Sequence, residues 1–101
     1  MIMINFGAWN VRGLNKVNKQ LEVAQFLSTH NISLIGLLET KIKRSSLGAL
    51  YLRVFPGWCI TSNIAWHDGG RIIIGWRSED IQIDILHCDA YSCYGKSYNG
   101  S

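Results

Sequence analysis

The chain has 101 residues, 48% of them hydrophobic and 17% charged, with a formal net charge of +3. This length suits one domain, the composition excludes an intrinsically disordered chain, and the small positive charge is compatible with a polyanionic partner without requiring one. Because no apolar run approaches the roughly 20 residues that cross a bilayer and no secretory signal opens the chain, the sequence predicts an intracellular protein without a membrane partner, leaving nucleus and cytoplasm both open.

The first predicted elements are a strand, a helix and a second strand. Residues 2–9 are short and mostly apolar, as in a strand, and an apolar stripe at 16–30 predicts a helix with Asn15 as N-cap and Asn31 as stop. The stripe consists of Val17, Leu21, Ala24 and Leu27. Residues 32–38 are almost continuously apolar and predict a strand covered on both faces. This order predicts a right-handed βαβ unit whose two strands are parallel.

The second half of the chain predicts short antiparallel strands, so the fold class is α/β (α+β). Residues 40–57 indicate a polar loop, then a short helix or irregular turn, then a turn. The predicted strands are 58–63, 71–76 and 81–86, and the predicted turns between them are 68–70 and 77–80. Residues 91–101 lack periodicity and apolar side chains, and are expected to form a disordered tail.

The cysteine pattern favours neither a disulfide framework nor a metal site. Cys59, Cys88 and Cys93 are odd in number and, in an intracellular protein, are expected to be reduced thiols. A zinc site that added His67 and His87 to them would lack the CxxC or HxxxH spacing of a structural metal site.

Two polar residues follow the two strands predicted to be parallel. Asn10 lies in "AWNVRGLNK" (8–16) and Glu39 in "LIGLLETK" (34–41), each one residue beyond a strand. Neighbouring strands lie about 4.8 Å apart, so both side chains would face one crevice at the carboxyl edge of the sheet, where open α/β sheets bind ligands. An amide and a carboxylate there suit Mg²⁺, which prefers oxygen ligands. The alternative is that Asn10 caps a turn and Glu39 is merely solvated.

Basic residues flank this predicted site. Lys41, Lys43 and Arg44 follow Glu39 and, with Arg12, could contact DNA phosphates, although a solvated loop is the alternative. For the four tryptophans, core packing is favoured over base stacking because they lie in or beside apolar strands. They are Trp9, Trp58, Trp66 and Trp76.

Three segments together resemble a known superfamily. "WNVRGLNK", a helix containing "EVAQFL", and "ISLIGLLETK" resemble the start of the endonuclease/exonuclease/phosphatase superfamily, with its deoxyribonuclease-I-like and apurinic-endonuclease-like fold. The most similar variant is the amino-terminal endonuclease domain of LINE-type (non-LTR) retrotransposon polyproteins, particularly those of plants, in which "HDGGRIIIGW" is also typical. The resemblance covers about residues 3–87. It implies a partial domain at 1–90 that forms the N-terminal half of a four-layered α/β-sandwich.

The resemblance also implies a chemistry. The asparagine that matches Asn10 helps to organise the family's active site, and the glutamate that matches Glu39 binds Mg²⁺ or Mn²⁺. The metal activates or orients water for attack on a DNA phosphodiester, so DNA is the implied partner. Arg12 stands where relatives that cleave abasic DNA often carry an acidic residue, and an arginine there fits the retroelement group.

The family's later motifs are absent from these 101 residues: a tyrosine motif, Asp-x-Asn, and a terminal Ser-Asp-His or Asp-His. The sequence therefore predicts a fragment of a divalent-metal-dependent DNA endonuclease that is inactive alone. The alternatives are a non-catalytic remnant of the same half-fold that binds nucleic acid or protein, and a product that barely folds. Half of a sandwich leaves an apolar face in water, so self-association is expected.

Overall fold

The computed structural model describes residues 5–65, 71–89 and 92–99. Six strands and two helices in these ranges confirm the α+β class. In chain order they are β1 (Asn5–Asn10), α1 (Val17–Thr29), β2 (Ile32–Leu38), α2 (Leu47–Val54), β3 (Cys59–Ser62), β4 (Ile73–Trp76), β5 (Ile81–Cys88) and β6 (Cys93–Asn99). Neither helix in these ranges is long and apolar enough to cross a membrane.

The βαβ unit has the predicted pairing. Strands β1 and β2 are parallel, with Asn10 opposite Leu38 at their carboxyl ends. The backbone N–H of Val11 donates to the carbonyl of Leu38 at 2.9 Å, so the hydrogen-bonded ladder continues one residue beyond β1. The carboxyl ends of both strands therefore meet at one edge of the sheet.

One end of helix α1 lies where the sequence predicts it, and the cap at the other end does not match the prediction. The helix stops as predicted at Asn31, which has a φ of 49°, a left-handed conformation that asparagine tolerates better than most residues. At the other end the N-cap is Lys16, with no side-chain cap hydrogen bond, and not Asn15.

The predicted apolar stripe of α1 is only half correct. Leu27 is buried and Ala24 is half-buried, but Val17 and Leu21 are more than half exposed. Gln20 is buried instead, because its side-chain amide donates to a backbone carbonyl in the preceding turn at 2.8 Å. A glutamine whose amide is satisfied in this way can be buried at low cost.

The main sheet has four strands in the order β1-β2-β4-β3. Strand β4 is antiparallel to both β2 and β3, which confirms the predicted antiparallel arrangement. The predicted turn at 77–80 is present, with the N–H of Asp80 donating to the carbonyl of Arg77 at 3.0 Å. The predicted turn at 68–70 lies outside the described residues. The short helix predicted within 40–57 is α2.

Both helices pack on one face of this sheet and form the core with it. The ring of Phe55 lies so near to Gly75 in β4 that a Cβ there would be 2.6 Å from the ring, which explains the glycine in this strand. The core consists of Val11, Leu14, Val23, Leu27, Ile32, Ile35, Leu37, Ile42, Leu50, Val54, Phe55, Ile64 and Ile73.

Two of the three tryptophans described by the structure pack against the core. Trp9 and Trp58 pack partly buried against the core, and the Trp9 ring lies 5.2 Å from that of Phe26. Trp76 is half-buried in β4. Core packing is thus confirmed for Trp9 and Trp58, while Trp66 lies outside the described residues.

The opposite face of the main sheet carries apolar side chains that are not buried. The pairing registers place six of them on this open sheet face, and Phe6 and Leu38 are the most exposed of the large ones, at 62% and 42%. The open sheet face consists of Phe6, Ala8, Leu34, Leu38, Ile74 and Trp76. This surface matches the apolar face that half of a sandwich leaves uncovered.

The structure differs from the expected disordered tail at 91–101, because Cys93–Asn99 forms strand β6, antiparallel to β5. Hydrogen bonds between Asp89 and Ser92 come directly before this strand. The N–H of Asp89 donates to the carbonyl of Ser92 at 2.8 Å, and the Asp89 carboxylate accepts from the N–H of Ser92 at 2.8 Å. Strand β6 itself has no apolar period that would reveal it in the sequence.

The cysteines depart from the expectation of three reduced thiols. Cys59 is a free, exposed thiol, but Cys93 is disulfide-bonded. The difference follows from the missed strand, since the backbone register sets Cys93 opposite Cys88. Among the described residues no group of three or more His, Cys, Asp or Glu side chains could hold a metal ion, and His67 lies outside those residues.

Replacing both Phe6 and Leu38 by serine should shift the chain from self-associated species towards the monomer. The change removes the two most exposed large apolar side chains of the open sheet face. Sedimentation velocity measures the distribution. Leu52→Ser is the matched control, because Leu52 is 73% exposed on α2, which packs on the other face of the sheet. A wild-type chain that is already monomeric and melts sharply and reversibly would contradict this prediction.

Candidate functional site

The carboxyl edge of the β1–β2 pair holds the two residues proposed as a metal site. Asn10 is the last residue of β1, not one beyond it, and Glu39 directly follows Leu38, its partner in the register. Strand spacing puts the two backbones about 4.8 Å apart. Both residues are exposed, so the structure brings the amide and the carboxylate to the same accessible edge.

The loop after β2 holds the Glu39 side chain outward by anchoring its neighbours inward. Thr40 and Ile42 are buried, at 0% and 4% exposure, while Glu39 and Lys41 are exposed. Glu39 and Lys41 have positive φ values of 53° and 52°, and the N–H of Thr40 donates to the carbonyl of Arg71 at 3.1 Å. Left-handed backbone at a non-glycine residue is uncommon and costs about 1–3 kcal/mol, so these anchors maintain a strained loop.

Arg12 approaches the Glu39 carboxylate from the β1 side. Its Nε lies 3.7 Å from Oε2 of Glu39, and the two side chains are 82% and 47% exposed. Exposed pairs of this kind contribute about 0–1 kcal/mol. The Arg12 guanidinium therefore orients the Glu39 carboxylate, and a metal ion can displace it at little cost in free energy.

The other basic residues are arranged unequally around this edge. Lys41 and Lys43 are exposed on the Glu39 loop. Arg44 is instead drawn towards the segment after β3, where its Nε donates to the carbonyl of Ile64 at 3.4 Å. Of the four predicted phosphate contacts, Arg12 lies beside the Glu39 carboxylate, and Lys41 and Lys43 are exposed on the loop that follows it.

The donor set at this edge fits a loosely held hard cation. The Asn10 side-chain amide makes no hydrogen bond to any other described residue, and it adds one neutral oxygen to the Glu39 carboxylate. Mg²⁺ commonly keeps several waters and is held through one or two carboxylates together with substrate phosphates. A Mg²⁺ or Mn²⁺ ion with most of its coordination sphere open suits these residues, whereas a cation enclosed by protein ligands does not.

Thr40 is a residue of this edge that the sequence did not single out. Its hydroxyl oxygen is buried and has no hydrogen-bond partner in the described part of the chain. An unsatisfied buried hydroxyl costs about 1–3 kcal/mol. The inward direction of this threonine follows from the left-handed backbone of its neighbours, for which the sequence carries no periodic signal.

A histidine–carboxylate pair is a second feature that the sequence did not predict. Nε2 of His87 lies 2.9 Å from Oδ2 of Asp89, and the His87 ring stacks on Tyr94 at 5.4 Å. The Asn63 side chain donates to the backbone carbonyl of Asp89 at 2.9 Å. Because Asn63 follows the end of β3 at the same sheet edge as Glu39, this bond holds the pair near that edge, two strands away.

The elements form a βαβ unit followed by antiparallel strands that share its sheet. The fold is similar to the crystal structure of humanized TDP2 from D. rerio with 14 mutations, with a TM-score of 0.51 and 17% sequence identity. The match covers 79% of this chain and 33% of that one, so the chain spans about a third of the TDP2 chain. The chain matches no protein-family model and no curated protein. The likeness establishes the fold alone.

Replacing Thr40 by valine should raise the free energy of unfolding by about 1 kcal/mol, because the isosteric side chain removes an unsatisfied buried hydroxyl. Urea denaturation measures the change. The matched control is Ser62→Ala, which should lower stability by about 1 kcal/mol. Its hydroxyl donates to the carbonyl of Ile72 at 2.8 Å and accepts from the N–H of Ile64 at 3.1 Å. Equal losses in both variants would show that the Thr40 hydroxyl is bonded.

Proposed function

We propose that the chain forms the metal-binding part of a divalent-metal-dependent DNA endonuclease and is inactive by itself. The observation that carries the proposal is the parallel pairing of β1 and β2, which sets Asn10 opposite Leu38 and leaves Glu39 beside it on an exposed edge. The similarity of the fold to TDP2 supports membership of the deoxyribonuclease-I-like superfamily. The residue roles come from the sequence resemblance.

The proposal assigns a role to each of four residues at this edge of the sheet. Glu39 holds the cation, and the Asn10 amide orients a phosphate oxygen or a water beside it. Lys41 neutralises a neighbouring DNA phosphate. Arg12 contacts the DNA backbone after the metal has displaced its guanidinium from the Glu39 carboxylate. When bound, Mg²⁺ or Mn²⁺ supplies Lewis-acid polarisation of the phosphodiester.

Inactivity follows from the groups that these 101 residues lack. The sequence contains no Asp-x-Asn and no Asp-His in that order, and the resemblance implies that these motifs activate the nucleophile and stabilise the transition state. The His87–Asp89 pair lies at the end of β5, in a different sheet from Glu39, and is linked to the Glu39 edge through Asn63, which follows a strand about 10 Å from β2 by strand spacing. A general base must lie within hydrogen-bond reach of its proton or act through one water, so this pair does not replace the missing groups.

Replacing Glu39 by glutamine should weaken Mn²⁺ binding at least tenfold, by our estimate of about 1.4 kcal/mol or more for a lost carboxylate ligand. Electron paramagnetic resonance of free Mn²⁺ measures the affinity, and a plasmid-nicking assay with Mg²⁺ should show no cleavage by either chain. The matched control is Glu22→Gln, which removes an exposed carboxylate on α1 that pairs with Lys19 at 3.1 Å.

The possible results separate the proposal from its alternative. Equal Mn²⁺ affinity in the wild type and Glu39→Gln would overturn the metal role. Nicking that depends on Glu39 would overturn the inactivity. DNA retention without nicking, unchanged in Glu39→Gln, would favour the second candidate, a non-catalytic module that binds nucleic acid through the exposed Lys41 and Lys43.

The finer proposal is that the chain derives from the endonuclease domain of a LINE-type retrotransposon. "WNVRGLNK" and "HDGGRIIIGW" support this origin, with Arg12 as the residue that separates it from abasic-site repair enzymes. The genomic sequence after the codon for Ser101 tests it. An open or frameshifted continuation that encodes Asp-x-Asn and then a reverse transcriptase is expected, and unrelated coding sequence would contradict the assignment.

A further inference from the structure

A pocket lies at the opposite end of β2 from Glu39. It has a volume of about 390 Å³ and lies among α1, α2 and the end of β4. Asn31 precedes β2 and Arg77 follows β4, and the N–H of Arg77 donates to the carbonyl of Ser33 at 2.9 Å. Seven residues of strand separate this pocket from Glu39, a distance of about 20 Å. The pocket is therefore distinct from the candidate metal site.

The lining combines an apolar floor with positive charge. Two guanidinium groups, those of Arg53 and Arg77, line the pocket, and none of the lining residues is acidic. The remaining lining residues are Ala24, Leu27, Ser28, Asn31, Val54, Pro56 and Trp58. Two of the apolar lining residues, Leu27 and Val54, are buried, whereas the polar residues Ser28, Asn31 and Arg53 are exposed. In ligand sites apolar side chains hold the body of a ligand and polar groups fix its orientation.

The two arginines differ in whether a carboxylate of the protein neutralises their charge. Arg77 is held by carboxylates, with its Nε 3.4 Å from Oδ2 of Asp80 and its Nη2 3.8 Å from Oε1 of Glu79. Its charge is therefore offset within the protein. Arg53 instead donates from Nη1 to the neutral amide oxygen of Gln20 at 2.7 Å and makes no ion pair with a described residue. The Arg53 side chain is exposed, so its charge is solvated by water and accessible to an anion.

One hydrogen bond to a buried glutamine orients the exposed Arg53 guanidinium. Gln20 is 6% exposed, and its Nε2 donates to the carbonyl of Leu14 at 2.8 Å while its Oε1 accepts from Arg53. This bond occupies one of the five N–H donors of the guanidinium and leaves the others for a ligand. The Asn31 amide, whose oxygen accepts from Arg77 at 3.4 Å, and the Ser28 hydroxyl add further donors on the same lining.

We propose that this pocket binds a small organic anion, a carboxylate or phosphate attached to an aromatic or aliphatic body. The anionic head contacts Arg53, with Asn31 and Ser28 as neutral donors, and the body packs on Trp58 and Val54. A charge-assisted bond to a preorganised guanidinium is about twice as strong as a neutral one, which makes Arg53 the main determinant of head-group binding.

The test is a titration of the full chain, followed by ¹H–¹⁵N NMR of the Trp58 indole and the Arg53 Nε–H. Phenyl phosphate and phenylacetate are the probes, and benzyl alcohol is the uncharged counterpart that needs no mutation. At least one anionic probe should shift both signals saturably, at concentrations where benzyl alcohol does not. Equal shifts with benzyl alcohol, or no saturable shift with either anion, would overturn the proposal.

The variants assign the binding to the pocket. Arg53→Gln should weaken it about tenfold, the loss expected for a charge-assisted hydrogen bond. Arg71→Gln removes an equal, exposed charge at the Glu39 end of the sheet and should leave the affinity within about twofold. Amide dispersion in the spectra reports whether each variant is folded. Equal weakening by the two substitutions, or by neither, would show that the anion binds through overall charge or elsewhere.

Discussion

The parallel pairing of β1 with β2 is the constraint on which the rest of the structure depends. It sets Asn10 opposite Leu38, and the bond from Val11 to the Leu38 carbonyl carries the ladder to the edge where Glu39 begins its loop. A slip of one residue would turn every side chain of β1 to the other face. It would move Trp9 off the core and bring Asn10 under the helices, and the amide and the carboxylate would no longer share an accessible edge.

The sequence predicted well the bounds of those elements that the local residue pattern determines. The strand predicted at 32–38 has those bounds in the structure, but it is covered on one face and not on both, because Ile35 and Leu37 are buried whereas Leu38 is 42% exposed. Helix α1 lies within a residue of its predicted ends, but its buried face does not match, since Gln20 is satisfied by a carbonyl of the preceding turn. Strand β6 could not be predicted either, because its own sequence has no periodicity. The pairing with β5 and the hydrogen bond between Asp89 and Ser92 stabilise it.

The candidate site could likewise be predicted from the sequence only in part. The shared edge of Asn10 and Glu39 could be predicted, because parallel pairing of neighbouring strands puts both carboxyl ends at one edge of the sheet. The directions of the loop side chains could not. They depend on two left-handed residues that turn Thr40 into the core, and on an arginine that comes within 3.7 Å of Glu39. Side-chain direction in a strained loop is a tertiary property, and a polar sequence such as "ETK" does not encode it by spacing.

The two ends of β2 present opposite chemistry, and their separation allows both to exist in a small domain. At one end Glu39 exposes a carboxylate that can bind a cation, and at the other the exposed guanidinium of Arg53 lines a pocket beside the buried Leu27 and Val54. About 20 Å of strand separates them, more than twice the Debye length of about 8 Å at physiological ionic strength. Neither charge therefore neutralises the other. A cation at the first site and an anion at the second should bind without direct electrostatic coupling, and any coupling between them would have to pass through β2 and the core packed against it.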